Sequence, residues 1–306
     1  MQRTTDHLLV SNRRVARLKT LIAMVVLIVS VPSSTHALNG TSCKTLNQKR
    51  TLTVNGKQQT YICTASGKKK VWRAKSSNSN NDKTDTKSVV VWRDSGAGTY
   101  FASNGTAPKC EAISWTFPIP DISALTGMLY PGQLRGGRYK AHGGFKASSH
   151  DVQVISPITG YITSGATYRE MGEIQHMIEI QHPCGIAVRF DHLFTLSSSV
   201  KQLFDKSVVV RDDSSGTFFN PPVPINAGDV VATTTGFVAA NNTNFDFGAY
   251  DFRTIQKSNR PPADLDQFGP DGTLGKYGLC VLSIFGSTIE ARLRALPTVS
   301  SVSDFC

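Results

Sequence analysis

The chain has 306 residues, of which 40% are hydrophobic and 18% charged, and its formal net charge is +11. This length allows one large domain with small additions, and the composition is that of an ordinary globular protein rather than a disordered or low-complexity chain. The charge is unevenly distributed. Residues 38–94 hold twelve Lys or Arg against three Asp, a net +9, whereas residues 95–306 hold sixteen against eighteen acidic residues, a net −2.

Residues 1–37 are predicted to be a signal peptide. The apolar run Leu21–Val31 is interrupted only by Ser30, and Thr35–Ala37 supplies small residues at the usual cleavage positions. A basic stretch of Arg13, Arg14, Arg17 and Lys19 precedes the run. Because the run is too short to span a bilayer comfortably, we expect export with Leu38 as the first mature residue, and hence a secreted or cell-envelope protein. An uncleaved membrane anchor is the alternative.

Residues 38–75 are predicted to be a small basic β module closed by a disulfide. Thr51–Val54 runs into Asn55–Gly56, the strongest short signal for a hairpin, and Gln59–Cys63 is the return strand. Gly67–Trp72 completes the unit. The pattern Cys…Gly…Tyr-x-Cys…Gly-Lys-Lys-x-Val-Trp resembles short modules of secreted actinobacterial proteins. That resemblance implies no particular chemistry.

The positive charge of this module indicates an anionic partner outside the cell. Wall polymer, phospholipid and extracellular nucleic acid all carry the required charge. We expect peptidoglycan or an anionic wall polymer, no specific nucleic acid, and contact with a membrane only through an uncleaved anchor. The alternative is that the charge only keeps the module soluble.

The next segment, 76–88, is predicted to be a polar linker, because Ser76–Lys87 contains only Ser, Asn, Asp, Thr and Lys. Residues 89–306 are predicted to form one β-rich domain with a carboxyl-terminal extension.

Two hairpins are predicted in this domain. The first joins Val152–Ile155 to Tyr161–Ser164 through a turn at Pro157–Gly160. The second joins Ile174–Gln181 to Ile186–Leu193. Alternation in the first strand of the second hairpin places four side chains on one face, those of Ile174, His176, Ile178 and Ile180.

Helices are few in the prediction. One is expected around Val200–Phe204, whose apolar residues have helical spacing, and another at Ser287–Glu290, which has a capping-box pattern. The polar stretches 205–226 and 254–277 are predicted to be surface loops.

Six cysteines, an even number, all lie beyond the predicted cleavage point and indicate up to three disulfides in an exported chain. Six cysteines permit about 15 pairings, so the connectivity stays open. Cys43–Cys63 is favoured because both residues lie in one small module. Cys280–Cys306 would tie down the carboxyl terminus, which leaves Cys110 with Cys184. Metal binding is the weaker interpretation, since no Cys-x-x-Cys spacing occurs.

Three short segments carry the candidate functional site. They are Lys140–Lys146, Phe190–Leu193 and Asn244–Phe247, which read Lys-Ala-His-Gly-Gly-Phe-Lys, Phe-Asp-His-Leu and Asn-Phe-Asp-Phe. In order and spacing they resemble the three site segments of the lysostaphin-like zinc endopeptidases, which read His-x-Gly-x-Asp, Tyr-x-His-Leu and His-x-His-Phe. Ser156–Ile162 and Ala227–Ala232 resemble two further segments of that family.

The resemblance covers roughly residues 135–253 and implies the fold of that family, an antiparallel β sandwich-like barrel called the duplicated hybrid motif. An all-β fold is also what the alternation and turn spacing indicate.

The resemblance further implies an altered zinc site. Lys146 stands at the position of the metal-binding Asp, and Asn244 and Asp246 stand at the two His of the last segment. By this resemblance His142 is one metal ligand and Asp246 a candidate second, whereas a protonated Lys146 cannot be the third. Because a catalytic zinc needs three protein ligands, we expect no metal cofactor. Zinc is the alternative.

Strand parity suggests what replaces the metal. His142 and Lys146 share one face if the chain is extended, as do Asn244 and Asp246. We therefore expect the Lys146 ammonium to occupy the metal position and to pair with Asp246. The alternative is that Lys146 points to solvent and Asp246 caps a turn.

The predicted groove comprises His142, Lys146, His192, Asn244 and Asp246. His192 is the candidate general base, with packing within a strand as its alternative role. Asn244 is a candidate hydrogen-bond partner for an amide or a sugar.

Other residues near the motifs are weaker candidates. His150, His176 and His182 are expected to be ordinary surface or half-buried residues, with His150 also a possible displaced ligand. Tyr130–Lys140 is a basic stretch with aromatic residues ahead of His142. It either contacts the carboxylates or sugars of a wall peptide or is a solvated loop.

The sequence thus predicts an exported cell-envelope protein with a catalytically inactive, peptidase-like domain that binds peptidoglycan or another wall polymer. One alternative is an active zinc metalloendopeptidase acting on wall peptides through His142, Asp246 and a third ligand such as His150 or Asp191. The other alternative is an adhesin or scaffold that binds only proteins.

Overall fold

The structure is a computed structural model that describes residues 42–46, 48–54, 57–66, 69–74 and 88–306. The chain divides into two compact units, residues 1–85 and 86–306. The predicted signal peptide, the hairpin turn at 55–56 and the polar stretch 76–87 lie outside the described residues. Within the described ranges, no helix has the length and hydropathy needed to cross a membrane.

The smaller unit contains an antiparallel sheet of strands β1 (Lys49–Val54), β2 (Lys57–Ser66) and β3 (Lys69–Ala74), in that order. Tyr61, Cys63 and Trp72 form its buried core. A core this small benefits from a covalent link, which the disulfide Cys43–Cys63 supplies. The strands predicted for this region are confirmed.

The larger unit is built mainly of strands. They are β4 (Val91–Asp94), β5 (Tyr100–Ser103), β6 (Leu125–Leu129), β7 (Gln133–Arg135), β8 (Arg138–Lys140), β9 (Gly143–Ala147), β10 (Val154–Ile155), β11 (Gly160–Glu170), β12 (Glu173–Gln181), β13 (Ile186–Leu196), β14 (Val210–Arg211), β15 (Thr217–Ile225), β16 (Val230–Thr235) and β17 (Asn244–Asp251). The helices are α1 (Ser198–Ser207), α2 (Pro262–Leu265), α3 (Gly269–Gly275) and α4 (Ser287–Arg294), with 3-10 turns at Ile122–Ala124 and Asp266–Phe268.

One ten-stranded sheet dominates the described part of this unit. Its main path is β14-β11-β12-β13-β17-β9-β6, with β15 on β11, and β16 paired with both β10 and β13. All of these pairings are antiparallel except the short one between β11 and β14. Two separate ribbons, β4–β5 and β7–β8, complete the strand pairing. The predicted all-β class is confirmed.

Alternation along the central strands separates a core face from a second face. Phe190 of β13 lies opposite Phe247 of β17, and both side chains are fully buried in the main core. Their neighbours Asp191 and Asp246 also lie opposite each other and point to the other face. A smaller apolar cluster, which includes Tyr250 and residues of α2 and α3, covers one end of that second face.

The six cysteines form three disulfides, Cys43–Cys63, Cys110–Cys184 and Cys280–Cys306. This pairing is the one favoured from the sequence, and it is confirmed.

The two predicted hairpins had different outcomes. The hairpin from Ile174–Gln181 to Ile186–Leu193 is confirmed as β12–β13. The hairpin between Val152–Ile155 and Tyr161–Ser164 is wrong, because β12 and β15 already occupy both edges of β11. The short strand β10 pairs with β16 instead.

The helix predictions were correct in position but not in every detail. Val200 and Phe204 are buried on α1, as their spacing predicted. Helix α4 begins at Ser287, but its amino-terminal cap is Gly286 and no side chain caps it, so the predicted capping box is wrong.

Both predicted surface loops contain regular structure. The stretch 205–226 includes the nine-residue strand β15, which buries Phe219 and Ile225. The stretch 254–277 includes α2 and α3, which bury Leu265 and Leu274. The apolar residues of each stretch are clustered or interrupted by Pro, Gly and charged residues rather than regularly spaced, so they give no periodic signal.

Candidate functional site

The three candidate segments meet on the second face of the sheet, where β13, β17 and β9 are neighbours. Asp246 of β17 lies opposite Asp191 on one side and Gly144 on the other. A Cβ at Gly144 would lie 2.7 Å from the Phe245 carbonyl oxygen and 3.1 Å from Asp246 Oδ1. Gly144 is therefore the residue that leaves room for the Asp246 carboxylate.

At the centre of the site, Asp246 contacts two imidazoles. Its Oδ2 lies 2.9 Å from His142 Nε2 and 3.4 Å from His192 Nε2. All three side chains are largely shielded from solvent, with exposed fractions of 6% for His142, 20% for His192 and 14% for Asp246. We call these three residues the imidazole cluster.

His142 Nε2 lies close to Asp246 Oδ2, but the two groups are not aligned for a hydrogen bond. Neither ring nitrogen of His142 has a hydrogen bond of normal geometry to a described residue, although both are buried. His142 is thus held by packing and by this contact, and its Nδ1 keeps unused hydrogen-bonding capacity among the described residues.

A left-handed backbone conformation aims His192 at the cluster. Its φ is +58°, which is uncommon for a residue other than glycine and needs support from the surroundings. The His192 N–H donates to Asp191 Oδ1 over 3.0 Å, and the Gly236 N–H donates to the His192 carbonyl over 2.8 Å. The ring packs against Phe237.

Behind the cluster, Asp191 organises a second set of polar groups. The Tyr168 hydroxyl donates to Asp191 Oδ1 and also lies 3.3 Å from His192 Nδ1. Arg189 Nη2 donates to Asp191 Oδ2 over 3.0 Å. Asp191 is therefore fully engaged in positioning its neighbours and is not a free metal ligand.

The cluster shifts the pKa values of its own members. Burial would raise the pKa of Asp246, but its interactions with His142 and His192 outweigh burial and hold that pKa well below the usual range. Burial would lower the pKa of His192, but the hydrogen bond and charge of Asp246 outweigh it and raise that pKa. An imidazolium at His192 beside an Asp246 carboxylate is the charge state that the geometry favours.

Lys146 does not take part in this arrangement. Its side chain is exposed, and its Cβ and Cδ lie 3.4 and 3.7 Å from the position of a Cβ on Gly127. Gly127 belongs to β6, on the opposite side of β9 from β17, so the lysine leans away from Asp246. The predicted Lys146–Asp246 pair is wrong. Two imidazoles already contact the carboxylate, and an ammonium group that reaches water avoids the cost of desolvation.

The alternative offered for this pair is half right, because Lys146 points to solvent but Asp246 lies within a strand rather than at a turn. Asn244 lies opposite Lys146 and is half-buried. Both its backbone N–H and its Nδ2 donate to Asn242 Oδ1, over 3.1 and 2.7 Å.

Arg135 reaches the site from the β7–β8 ribbon. Gly136 and Gly137 form its two-residue turn with φ of +56° and +75°, which only glycine adopts readily. Arg135 Nη2 donates to the His142 carbonyl over 3.0 Å. Burial lowers the pKa of Arg135, and the nearby Asp246 charge partly offsets this.

Tyr250 is one of three residues at the site that the sequence reasoning missed, with Tyr168 and Arg189. Its hydroxyl lies over Gly248, 2.2 Å from where a Cβ on that glycine would be. The hydroxyl is buried and has no hydrogen-bond partner among the described residues. Parity within Asn244–Asp251 was the available signal, since Tyr250 lies four residues after Asp246 on the same face.

The remaining histidines have local partners. His150 Nδ1 lies 2.8 Å from the Thr235 carbonyl oxygen, and His176 Nδ1 lies 3.0 Å from Thr167 Oγ1. His182 Nδ1 accepts from the Cys184 N–H over 3.2 Å. Among the described residues, Asp246 pairs only with His142 and His192. His150 therefore gains no support as a displaced metal ligand.

The donor set does not fit a catalytic zinc. In the ranges that the structure describes, no group of three or more His, Cys, Asp or Glu side chains has the arrangement of a metal site. His142 and Asp246 have suitable donor atoms, but the third motif position carries the ammonium of Lys146, which leans the other way. The expectation that the protein works without a metal stays a prediction.

Comparison with known sequences adds no identification. No protein-family model matches the chain, and neither does any of the curated proteins searched. The resemblance to the lysostaphin-like endopeptidases therefore stays a prediction that depends on the motifs quoted above.

Proposed function

We propose that the larger unit is a peptidase-like binding domain of an exported cell-envelope protein. It holds peptidoglycan or another wall polymer in the groove around the imidazole cluster and does not cleave it. The observation that carries this proposal is the use of Asp246 as the partner of two imidazoles while Lys146 extends into solvent.

Two features argue against hydrolysis. A zinc-bound water reaches a pKa of about 7 only in a site with a full ligand set, which these residues do not provide. A general base must also be unprotonated near the working pH. Asp246 raises the pKa of His192, so the unprotonated form that a base needs is less populated than in a free imidazole.

Other features support binding. The His192 side chain keeps an exposed fraction of 20%, so a polymer chain can contact the imidazole cluster at this residue. Three disulfides suit an extracellular protein. Among the described side chains of the smaller unit, five basic ones are exposed and offer charge to an anionic polymer. They are Lys44, Lys49, Arg50, Lys69 and Lys70.

Co-sedimentation of the full chain with purified peptidoglycan tests the proposal. We expect the protein to sediment, and Asp246→Asn to sediment less because the charges that position both imidazoles change. Asp212→Asn is the matched control. The Asp212 side chain is 92% exposed, and its partner Arg169 is exposed as well. The proposal fails if the wild-type protein stays in solution, a result that would favour an adhesin specific for proteins.

A cleavage assay separates the proposal from the zinc peptidase alternative. Peptidoglycan is incubated with the protein and zinc, and newly released amino groups are counted. We expect no release above that of a heat-inactivated sample. Release that a chelator abolishes and that His142→Ala lacks would establish the enzyme instead.

A further inference from the structure

We propose that a cavity beside helix α1 binds an uncharged, mainly apolar molecule that carries a hydroxyl group. The cavity is lined by residues of α1 and of strands β11, β12, β13 and β14, together with Val208 between α1 and β14. We call it the α1 cavity. Its lining residues differ from those of the imidazole cluster, so this inference goes beyond the proposed function and stands independently of it.

The α1 cavity has a volume and a lining that are typical of small-molecule sites. Its volume is about 430 Å³, which lies within the usual range for ligand sites. A dry apolar cavity of ~150 Å³ holds one benzene molecule, so a molecule of roughly ten to fifteen carbon atoms fits here. Six apolar side chains line the cavity, and they are Ile174, Phe194, Leu196, Phe204, Val208 and Val210.

Thr167 and His176 supply a polar contact within this wall. His176 Nδ1 lies 3.0 Å from Thr167 Oγ1, and the imidazole packs edge-on against Phe204. The other ring nitrogen, Nε2, has no hydrogen-bond partner among the described residues. In a neutral imidazole one nitrogen donates and the other accepts, and the contact at Nδ1 allows either tautomer. A hydroxyl group both donates and accepts, so it can pair with Nε2 in either case.

The charges around the α1 cavity favour an uncharged ligand. Lys201 and Asp205 line the cavity and pair with each other, since Lys201 Nζ lies 2.7 Å from Asp205 Oδ2. Burial, assisted by Lys201, lowers the pKa of His176 to about 4, so its imidazole is uncharged at pH 7. An ionised ligand would lose its hydration here without gaining a counter-ion, which is costly.

The free protein leaves part of the apolar wall in water. Ile174 is 38% exposed and Val210 is 40% exposed, and both line the cavity. A ligand that covers these two side chains removes apolar surface from water, which favours binding. The same two residues mark the mouth of the cavity, because they are the exposed apolar members of its lining.

Three matched ligands test this chemistry. They are 2-naphthol, naphthalene and 2-naphthoate, which carry a hydroxyl, a hydrogen and a carboxylate at the same position. Each is offered to the full chain at pH 7 in equilibrium dialysis and is measured by its own fluorescence. We expect 2-naphthol to bind about fivefold more tightly than naphthalene, as one hydrogen bond allows. The carboxylate should bind at least about tenfold more weakly than 2-naphthol, because its charge meets no counter-ion.

Three variants locate the binding. His176→Phe keeps a ring against Phe204 and removes both nitrogens, so naphthalene should still bind and the preference for 2-naphthol should disappear. Val210→Trp places a bulky side chain at the mouth and should abolish the binding of both uncharged ligands. Val209→Trp is the matched control, because Val209 is 69% exposed and is not part of the cavity lining.

The inference is wrong if neither uncharged ligand binds the wild type, or if 2-naphthol binds no more tightly than naphthalene. It is also wrong if the two tryptophan variants behave alike, or if His176→Phe keeps the preference for 2-naphthol. If His176→Phe does not fold, the two tryptophan variants still decide the location, since both change exposed residues, and the wild-type comparison decides the chemistry. Val210→Trp should sediment with peptidoglycan as the wild type does, so this inference and the proposed function fail separately.

Discussion

Asp246 and Asn244 lie two residues apart on β17 and point to the same face, yet their surroundings differ sharply. The inner half of the site contains Asp246 with His142 and His192, all largely buried and close enough to share charge. The outer half contains Asn244, bonded to Asn242, and the exposed Lys146 opposite it. One strand thus carries a tightly paired polar centre and a loosely held solvent edge.

This difference shows what burial demands of a charged group. In the inner half, a carboxylate without a cation would be very costly, and the two imidazoles supply the compensation. In the outer half, the long aliphatic stem of Lys146 lets its ammonium remain in water, so no partner is required. Substitutions in the two halves should therefore have very different effects on the free energy of unfolding.

The largest effect is expected for Asp246→Asn. Removing this charge takes the carboxylate away from two largely buried imidazoles, and we expect the free energy of unfolding to fall by about 3 kcal/mol. Urea denaturation at pH 7 measures it. Asn244→Ala is the matched variant in the outer half and should cost less than about 1 kcal/mol. Equal losses in the two variants would contradict the division of the site into halves.

Two buried tyrosines allow a further comparison, between a hydroxyl that has a hydrogen-bond partner and one that has none among the described residues. Tyr168→Phe removes a donor to Asp191, and we expect a loss of about 2 kcal/mol because the bond has a charged acceptor. Tyr250→Phe removes a buried hydroxyl without a partner, so stability should stay the same or rise by up to about 1 kcal/mol. Thermal unfolding of both variants tests this. A large loss in Tyr250→Phe would mean that the hydroxyl has a partner in the free protein.

The pH dependence of stability probes the charges of the inner half directly. The pKa of His192 is raised in the folded protein, so its contribution is complete below the unfolded value of about 6.5 and is lost as the pH rises through the folded pKa. The pKa of Asp246 is lowered, so its contribution is present above about 3.9 and is lost as the pH falls through the folded pKa. The imidazole cluster should therefore stabilise the fold most between about pH 3.9 and pH 6.5.

The measurement is the difference in unfolding free energy between the wild type and His192→Gln from pH 5 to pH 9. We expect the advantage of the wild type to shrink as the pH rises. A difference measurement is needed because burial lowers the pKa of His176 to about 4, which gives that residue a contribution of opposite sign. An advantage that is constant over this range would show that His192 is not a cation in the fold.

The sequence predicted the core side of the main sheet well. Alternation identified β12 and β13, and helical spacing identified α1, because these elements bury apolar residues at regular intervals. The smaller unit and the disulfides were predictable for a related reason, since tight turns and paired cysteines leave strong local signals.

The polar face was less predictable, because its arrangement depends on contacts between distant segments. The family resemblance grouped His142, His192 and Asp246 as groove residues, but strand parity gave Asp246 the wrong partner. Nothing local to Lys146 shows that its stem leans over Gly127, a glycine on a strand 19 residues earlier in the chain. The missing information was which neighbouring strand offers space, and only the sheet order supplies it.

The smallest effect is expected for Lys146→Met, and it decides whether the outer half is inert. Methionine keeps the aliphatic contact with Gly127 and removes the exposed charge, so the free energy of unfolding should change by less than about 0.5 kcal/mol. Chemical denaturation at low and high salt measures it, beside Asp246→Asn under the same conditions. If Lys146→Met instead lost several kcal/mol, the ammonium would have to pair with Asp246 in solution, and the two halves would be one charge network. If it lost nothing while Asp246→Asn was strongly destabilised, the lysine at the former ligand position would be free of any structural duty and open to contact a ligand at the edge of the groove.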